Sequence, residues 1–160
     1  MLKTQSIHIK RHTEGETKIS HFSLPGLLPA GHTLALHLGT RTLSLLADGP
    51  ALMMQQPFST NEMSLILPIL EAFPHYCPYE VLLAHISSNV VTGASIVRCR
   101  QRLQEAQSRG TRQQELRPIR RALSPLRNKL HCFGLEISNI RESGCSLTSS
   151  RSTTLLRSSV

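Results

Sequence analysis

The chain has 160 residues, a formal net charge of +8 and 39% hydrophobic residues. That length and apolar content suffice for one modest core, so we expect a single domain with polar ends. Aromatic residues make up only 4% and Trp is absent, which disfavours stacking on single-stranded bases. No run approaches the roughly 18 apolar residues of a membrane span, and no export signal is recognisable, so we expect a cytoplasmic protein.

No motif in the sequence indicates catalysis or metal binding. The four cysteines are irregularly spaced without a C-x-x-C pair, so we expect reduced, mostly buried thiols rather than disulfides or a zinc site. A Gly-rich phosphate loop, a G-x-S-x-G nucleophile turn and an H-E-x-x-H helix are all absent from the sequence. We therefore predict a protein that is not an enzyme and needs no cofactor.

The excess positive charge is confined to residues 98–129. This segment holds ten basic residues, nine of them arginine, against Glu105 and Glu115, whereas the rest of the chain is neutral. The guanidinium group suits phosphates and guanine edges. The segregation therefore predicts a surface for a polyanion.

The N-terminal third is predicted to contain an arm followed by strands. Residues 1–31 mix charge with Gly and Pro without a sustained period, which indicates a flexible arm. Apolar residues then alternate or cluster over His32–Leu38, Arg41–Leu46 and Ala51–Met54, as in a short antiparallel meander. At the other end, residues 148–160 are rich in Ser and Thr and indicate a disordered tail.

Helix start and stop signals follow the strands. Ser59 with Glu62 three residues later predicts a capping box at the start of a first helix. Pro78 suits the first turn of a second helix. A third helix is expected from about Gly93 to Ser108, ended by Gly110.

The fourth predicted helix is the most strongly amphipathic. Its apolar seam, spaced by 3, 4, 3 and 4, consists of Leu116, Ile119, Leu123, Leu126 and Leu130. Its polar face carries Gln114, Arg117, Arg121, Ser124 and Asn128, flanked by Arg120 and Arg127. A strand over Leu135–Ile140, a turn over Arg141–Gly144 and a returning strand over Cys145–Leu147 complete a hairpin. The expected fold class is α+β, with a strand meander, three to four helices and a C-terminal hairpin.

The most specific motif of the sequence lies near the end of the chain. Residues 126–130 read LRNKL and residues 133–137 read FGLEI, followed by Ile140-Arg141 and Gly144. These residues resemble the L-R-x-K-L helix ending and the I-x-x-V-R-G-x-G-Y-x-L wing of the OmpR/PhoB-type winged-helix domain of bacterial transcriptional regulators. The resemblance implies a winged helix-turn-helix domain over residues 32–147, and we expect no receiver domain before it.

The resemblance also implies a function, which is sequence-specific binding of double-stranded DNA as a bacterial-type transcriptional regulator. The fourth helix would enter the major groove, and the wing would reach the backbone or the minor groove. The expected DNA contacts are Arg112, Arg117, Arg120, Arg121, Ser124, Arg127, Asn128, Lys129 and Arg141. Further expected partners are a second copy on tandem half-sites, and RNA polymerase or another protein.

Three departures from the family pattern bear on that reading. Glu142 stands where the family's wing has glycine, and its charge should repel phosphate; Cys145 replaces a tyrosine. Pro125 lies inside the matched helix, where a proline costs ~3 kcal/mol, so the helix is expected to kink or to be shorter. Residues 88–112 form an insertion whose five arginines suit an added DNA contact, a dimer surface or a partner site.

Two other functions are compatible with the sequence. The domain would serve as a protein-interaction module if the winged helix has lost its DNA contacts, because fold does not fix function. Alternatively, the basic segment would bind structured RNA by its shape and phosphates. The homodimer hypothesis rests on the insertion helix, which would expose Ile96, Val97 and Leu103 if it did not pack on the domain's own core.

Overall fold

The computed structural model describes residues 8–11, 18–49, 51–88 and 90–150, and there the chain forms two antiparallel sheets with helices between them. The first sheet has five strands in sequence order, each paired with the next. They are β1 (His8–Arg11), β2 (Lys18–Phe22), β3 (His32–His37), β4 (Thr42–Ala47) and β5 (Ala51–Pro57). The last three confirm the predicted meander.

The sheet extends into the segment that the sequence assigns to a flexible arm. β2 pairs with β3 from Ile19 to Phe22, and the side chains of Phe22, Leu24 and Leu28 are buried in the core. The prediction of a flexible arm is therefore wrong for residues 8–11 and 18–31. Pairing of β1 with β2 and of β2 with β3, together with a few buried apolar side chains, orders a segment whose sequence shows no regular apolar spacing. Residues 1–7 and 12–17 lie outside the described residues.

Four full helices and one single turn follow the first sheet. They are α1 (Thr60–Ala72), α2 (Tyr79–Ser87), α3 (Gly93–Arg109), the single turn α4 (Arg112–Glu115) and α5 (Arg117–His131). The predicted capping box is present at α1, where Ser59 and Glu62 exchange two hydrogen bonds of 2.8 and 3.1 Å. Gly110 ends α3 in the left-handed conformation, at a φ of 75°. None of these helices is both long and apolar enough to cross a membrane.

The second sheet completes the winged helix. It consists of β6 (Cys77–Pro78), β8 (Gly144–Ser149) and β7 (Leu135–Ile140), in that order across the sheet. The β7–β8 hairpin follows α5 as a wing, which confirms the α+β winged helix-turn-helix prediction. The prediction of a tail from residue 148 is wrong for its first three residues, because β8 pairing extends to Ser149 and Ser150 is buried. Residues 151–160 lie outside the described residues.

Helix α5 passes through Pro125 without ending there. Ile119 and Leu123 are buried before the proline, and Leu126 and Leu130 after it. Burying a leucine or isoleucine side chain contributes about 1.5–3 kcal/mol, so four such anchors outweigh the ~3 kcal/mol cost of an interior proline. The expectation of a helix shortened at Pro125 is therefore wrong.

The insertion helix α3 packs on the domain's own core. Cys99, Leu103 and Ala106 are buried, and Ile96 is partly buried against the same core. Val97 is exposed. The homodimer hypothesis required all of Ile96, Val97 and Leu103 to be exposed, and for Leu103 that condition is wrong because α3 lies against α2.

An ion pair joins the start of α1 to the end of α5. Lys129 Nζ donates to Glu62 Oε1 at 2.7 Å and to the carbonyl oxygen of Pro57 at 3.0 Å, and it lies 5.3 Å from the centre of the Phe58 ring. Burial alone would raise the pKa of Glu62, but hydrogen bonds from Lys129 and Ser59 outweigh it and hold the pKa below its ordinary value. The carboxylate is thus charged and buried, and its Oε1 atom accepts hydrogen bonds from both Ser59 and Lys129.

Replacing Glu62 with alanine should lower the free energy of unfolding by about 2–4 kcal/mol, because the capping box and the partner of Lys129 are lost together. Chemical denaturation measures this. Glu105→Ala is the control, since Glu105 sits in an exposed pair, 3.9 Å from Arg109, and should change stability by less than about 0.5 kcal/mol. A loss no larger than the control's would contradict this role.

The same ion pair predicts a dependence of stability on pH. Because the folded pKa of Glu62 is below the ordinary carboxyl value of 4.5, its contribution is present above that pH and lost as the pH falls through the folded pKa. The difference in unfolding free energy between wild type and Glu62→Gln should therefore shrink on acidification below about pH 4.5. A constant difference would show that the carboxylate charge is not involved.

Candidate nucleic-acid interface

One face of α5 is exposed and polar along the length of the helix. Arg117, Arg121, Ser124 and Asn128 are all exposed and recur at spacings of 4, 3 and 4, opposite the buried apolar seam. Pro118 occupies the first turn, where the missing N–H group costs nothing. Amphipathicity therefore aligns two guanidinium groups, a hydroxyl and an amide on one side of a single helix, with Arg120 exposed beside them.

Most basic residues of the segment 98–129 have acceptors within the protein, and a few do not. The six that donate to or pair with an internal acceptor are Arg100, Arg102, Arg109, Arg112, Arg127 and Lys129. The four without a hydrogen-bond or ion-pair partner among the described residues are Arg98, Arg117, Arg120 and Arg121. Three of these four lie on α5, and we call Arg117, Arg120 and Arg121 the free arginines of α5.

Two of the predicted contact residues on α5 serve to hold the helix in place. The guanidinium of Arg127 donates to the carbonyl oxygen of Ile137 at 3.3 Å and to Asn139 Oδ1 at 2.8 Å, which ties α5 to β7. Lys129 is engaged by Glu62, as described above. Both side chains are directed to partners inside the domain, so we leave them out of the proposed interface.

Arg112, also predicted as a contact, holds the wing. Its guanidinium donates to the carbonyl oxygen of Glu142 and lies 5.7 Å from the centre of the Tyr79 ring. The backbone N–H of Tyr79 donates to the carbonyl oxygen of Ser143 at 3.0 Å. Hydrogen bonds from Arg112 and Tyr79 therefore hold the turn of the wing against the rest of the domain.

The turn of the wing contains two backbone positions that favour glycine. Glu142, which stands in place of a glycine, has a φ of 52°, in the left-handed region that favours glycine. At Gly144 a Cβ atom would overlap the carbonyl oxygen of Cys77, so no other residue fits without moving the backbone. Immediately before Glu142, Arg141 is exposed and its side chain has no polar partner among the described residues.

The insertion's positive charge is largely neutralised by ion pairs. Arg100 pairs with Glu80 at 3.1 Å and Arg102 with Glu115 at 2.7 Å. Arg109 lies 3.9 Å from Glu105. In the sequence these arginines look like a continuous basic run, because two of the pairing carboxylates are 13 and 20 residues away. Of the insertion's arginines, only Arg98 lacks an acceptor among the described residues.

Two of the buried cysteines are held in the core as neutral thiols. Cys77 and Cys145 face each other across β6 and β8. Burial raises the pKa of Cys77 to about 12 and that of Cys145 to about 11, although Arg127 acts in the opposite direction on the latter. Cys99 is also buried and Cys132 is exposed, which confirms the prediction that the cysteines are mostly buried.

Sequence reasoning missed one polar residue that borders this surface. Asn61, in the first turn of α1, is exposed and lines a pocket together with Arg117, Arg121 and Gln114. No local pattern in the sequence could place Asn61 beside α5, because the packing of α1 on α5 brings them together.

Comparison with protein-family models, with curated proteins and with solved structures finds no match to this chain.

Replacing Glu142 with glycine should stabilise the domain by about 0.5–1 kcal/mol, because it removes a side chain from a left-handed backbone position. Thermal unfolding measures the change. The matched control is Ser143→Gly in the same exposed turn, whose φ is not positive and which should lose stability through the greater freedom of the unfolded chain. Equal effects of the two substitutions would contradict the assigned turn geometry.

Proposed function

We propose that this protein binds double-stranded DNA in a sequence-specific manner as a transcriptional regulator, with α5 as its recognition helix. The observation that carries the proposal is the distribution of unpartnered positive charge. The free arginines of α5 have no internal acceptor among the described residues, whereas six neighbouring basic residues do. The positive charge that is not neutralised within the protein is therefore concentrated on one face of α5, where a polyanion would bind.

The shape and chemistry of that face suit the major groove. The major groove of B-form DNA is about 12 Å wide and admits an α-helix. Arginine can bind guanine edges or phosphates, and Asn128 offers the amide that pairs with adenine. Ser124 lies between them as a small hydrogen-bonding side chain. The resemblance of residues 126–144 to the OmpR/PhoB-type helix and wing supports the same reading.

The wing supplies a second, weaker contact. Arg141 is exposed and unpartnered among the described residues, which suits the negative potential of a narrow minor groove. The adjacent Glu142 opposes that attraction with a negative charge. We therefore assign most of the binding free energy to α5 and a smaller, A·T-dependent contribution to the wing.

The setting of this activity is also part of the proposal. The resemblance supports a cytoplasmic bacterial-type regulator that acts on tandem half-sites, with RNA polymerase or another protein as a further partner. A homodimer on those sites would need a surface other than the packed face of α3. Such half-sites are typically spaced by one helical turn of DNA.

The first test is a salt series on a fluorescent pool of duplex DNA, with wild type and Arg117→Ala/Arg121→Ala compared. Each phosphate contact contributes about 0.9 to the slope of log affinity against log salt concentration. The double variant should therefore reduce the magnitude of the slope by about 2 if both arginines contact phosphates.

The matched control is Arg100→Ala/Arg109→Ala, which removes the same net charge from two arginines that already have carboxylate partners. Its slope should stay within about 0.5 of wild type. Equal slopes for the two double variants would show that net charge, and not α5, governs binding. Absence of wild-type binding at moderate salt would contradict the proposed function and favour a protein-interaction module, and tighter binding to A-form RNA in competition would favour RNA.

A further inference from the structure

A pocket of about 460 Å³ lies where the start of α1, the end of α2 and the polar face of α5 meet. Its charged and polar lining consists of Arg117 and Arg121 from α5, Gln114 from α4, and Ser59, Asn61 and Glu62 from the beginning of α1. The pocket is open to solvent on the same side as the free arginines of α5.

The two arginines in this pocket are neighbours without a counter-charge. Arg117 and Arg121 are one helical turn apart, so their positive charges repel each other. Neither has a hydrogen-bond or ion-pair partner among the described residues. A bound anion between them would relieve that repulsion and accept hydrogen bonds from both guanidinium groups.

The one carboxylate in the lining is not available to neutralise them. Glu62 Oε1 accepts hydrogen bonds from the backbone N–H of Ser59 at 2.8 Å and from Lys129 at 2.7 Å. Lys129, which does not line the pocket, therefore compensates the charge of Glu62.

Uncharged donors complete the site. Asn61 and Gln114 are exposed, have no side-chain partner among the described residues, and line the pocket from opposite helices. The first turn of α1 adds the positive end of a 13-residue helix, where the backbone N–H of Glu62 already donates to Ser59 Oγ. Two guanidinium groups, two amide groups and a helix start together present donors to a single anion.

We infer that this pocket is a binding site for a phosphate group, in which Asn61 and Gln114 act together with Arg117 and Arg121. The inference rests on the proposed function for the source of the phosphate, which is the DNA backbone beside the major groove. The phosphate site adds Asn61 of α1 and Gln114 of α4 to the proposed interface. It would also fix the position of α5 relative to one strand of the DNA duplex.

The first arm of the test uses inorganic phosphate and no DNA. Side-chain amide resonances of Asn61 and Gln114 are followed by NMR during a phosphate titration at constant ionic strength, with sodium chloride as the reference salt. We expect saturable shifts of both amides, which disappear in Arg117→Ala/Arg121→Ala.

The second arm uses a duplex selected from a random pool by the wild-type protein, with each phosphate replaced in turn by a neutral methylphosphonate. Asn61→Asp places a negative charge in the pocket, while an acidic residue in the first turn favours the helix and so preserves folding. We expect it to weaken binding about tenfold, and this penalty should vanish at one methylphosphonate position per half-site. Asn128→Asp, on the same face of α5 but outside the pocket, is the control and should not share that position.

The outcomes separate the pocket from the proposed function. Amide shifts with inorganic phosphate, without wild-type binding to any duplex, would support the pocket as a site for free phosphate and contradict the DNA function. Duplex binding with no penalty from Asn61→Asp, or with a penalty that no methylphosphonate removes, would overturn the pocket and leave the DNA function standing. If the Asn61→Asp penalty disappears at one methylphosphonate position, the pocket and the DNA function are both supported. If inorganic phosphate causes no amide shifts and the wild type binds no duplex, both proposals are overturned.

Discussion

Helix α5 buries an apolar seam against α1 and the wing, and this contact decides which of its side chains can reach a partner. Ile119, Leu123, Leu126 and Leu130 are buried, and rotating the helix to expose them would cost about 1.5–3 kcal/mol for each. With that side fixed, the polar side chains at complementary positions must face solvent. The interface that we propose is thus a direct consequence of core packing.

Fixing the helix also sorts the arginines into two groups. Arg127 and Lys129 lie near the edges of the buried seam, where carbonyl and carboxylate oxygens of β7 and α1 are within reach. The free arginines of α5 project where the described structure offers no such acceptor. The arginines of the insertion also divide into paired and unpaired residues. Arg100 and Arg102 form ion pairs with Glu80 and Glu115, which neutralise positive charge that would otherwise attract a polyanion to the insertion.

The wing depends on the same body of the domain. Arg112 and Tyr79 fasten its turn, and Gly144 allows the close approach of β8 to Cys77. Arg112, at the end of the insertion, holds the wing in position by its hydrogen bond to Glu142. The insertion therefore contributes to the interface mainly by positioning the wing, and only weakly by adding positive charge.

Features with a local cause were predictable from the sequence. The capping box at Ser59, the end of α3 at Gly110 and the hairpin after α5 each follow from a few neighbouring residues, and all are present. The polar face of α5 was predictable too, since it follows from helical periodicity.

Features that depend on distant residues were not predictable. β2 has only Ile19 and Phe22 to mark it and is ordered by pairing with β3, and β6 is two residues long. The internal acceptors of Arg112 and Lys129 lie 30 and 67 residues away in the sequence. The sequence alone therefore could not show which basic side chains bond within the protein and which are left for a partner. Asn61 joins the interface only through the packing of α1 on α5.

The most direct test of α5 as the recognition helix is NMR of the arginine side-chain Nε–Hε groups while duplex DNA is added. We expect shifts or broadening at the free arginines of α5 and a smaller change at Arg141. The Nε–Hε groups of Arg100 and Arg127 should keep their positions, because they already donate to Glu80 and Ile137. Changes concentrated at Arg98 and Arg100 in the insertion, with α5 unaffected, would contradict the assignment of α5 as the recognition helix.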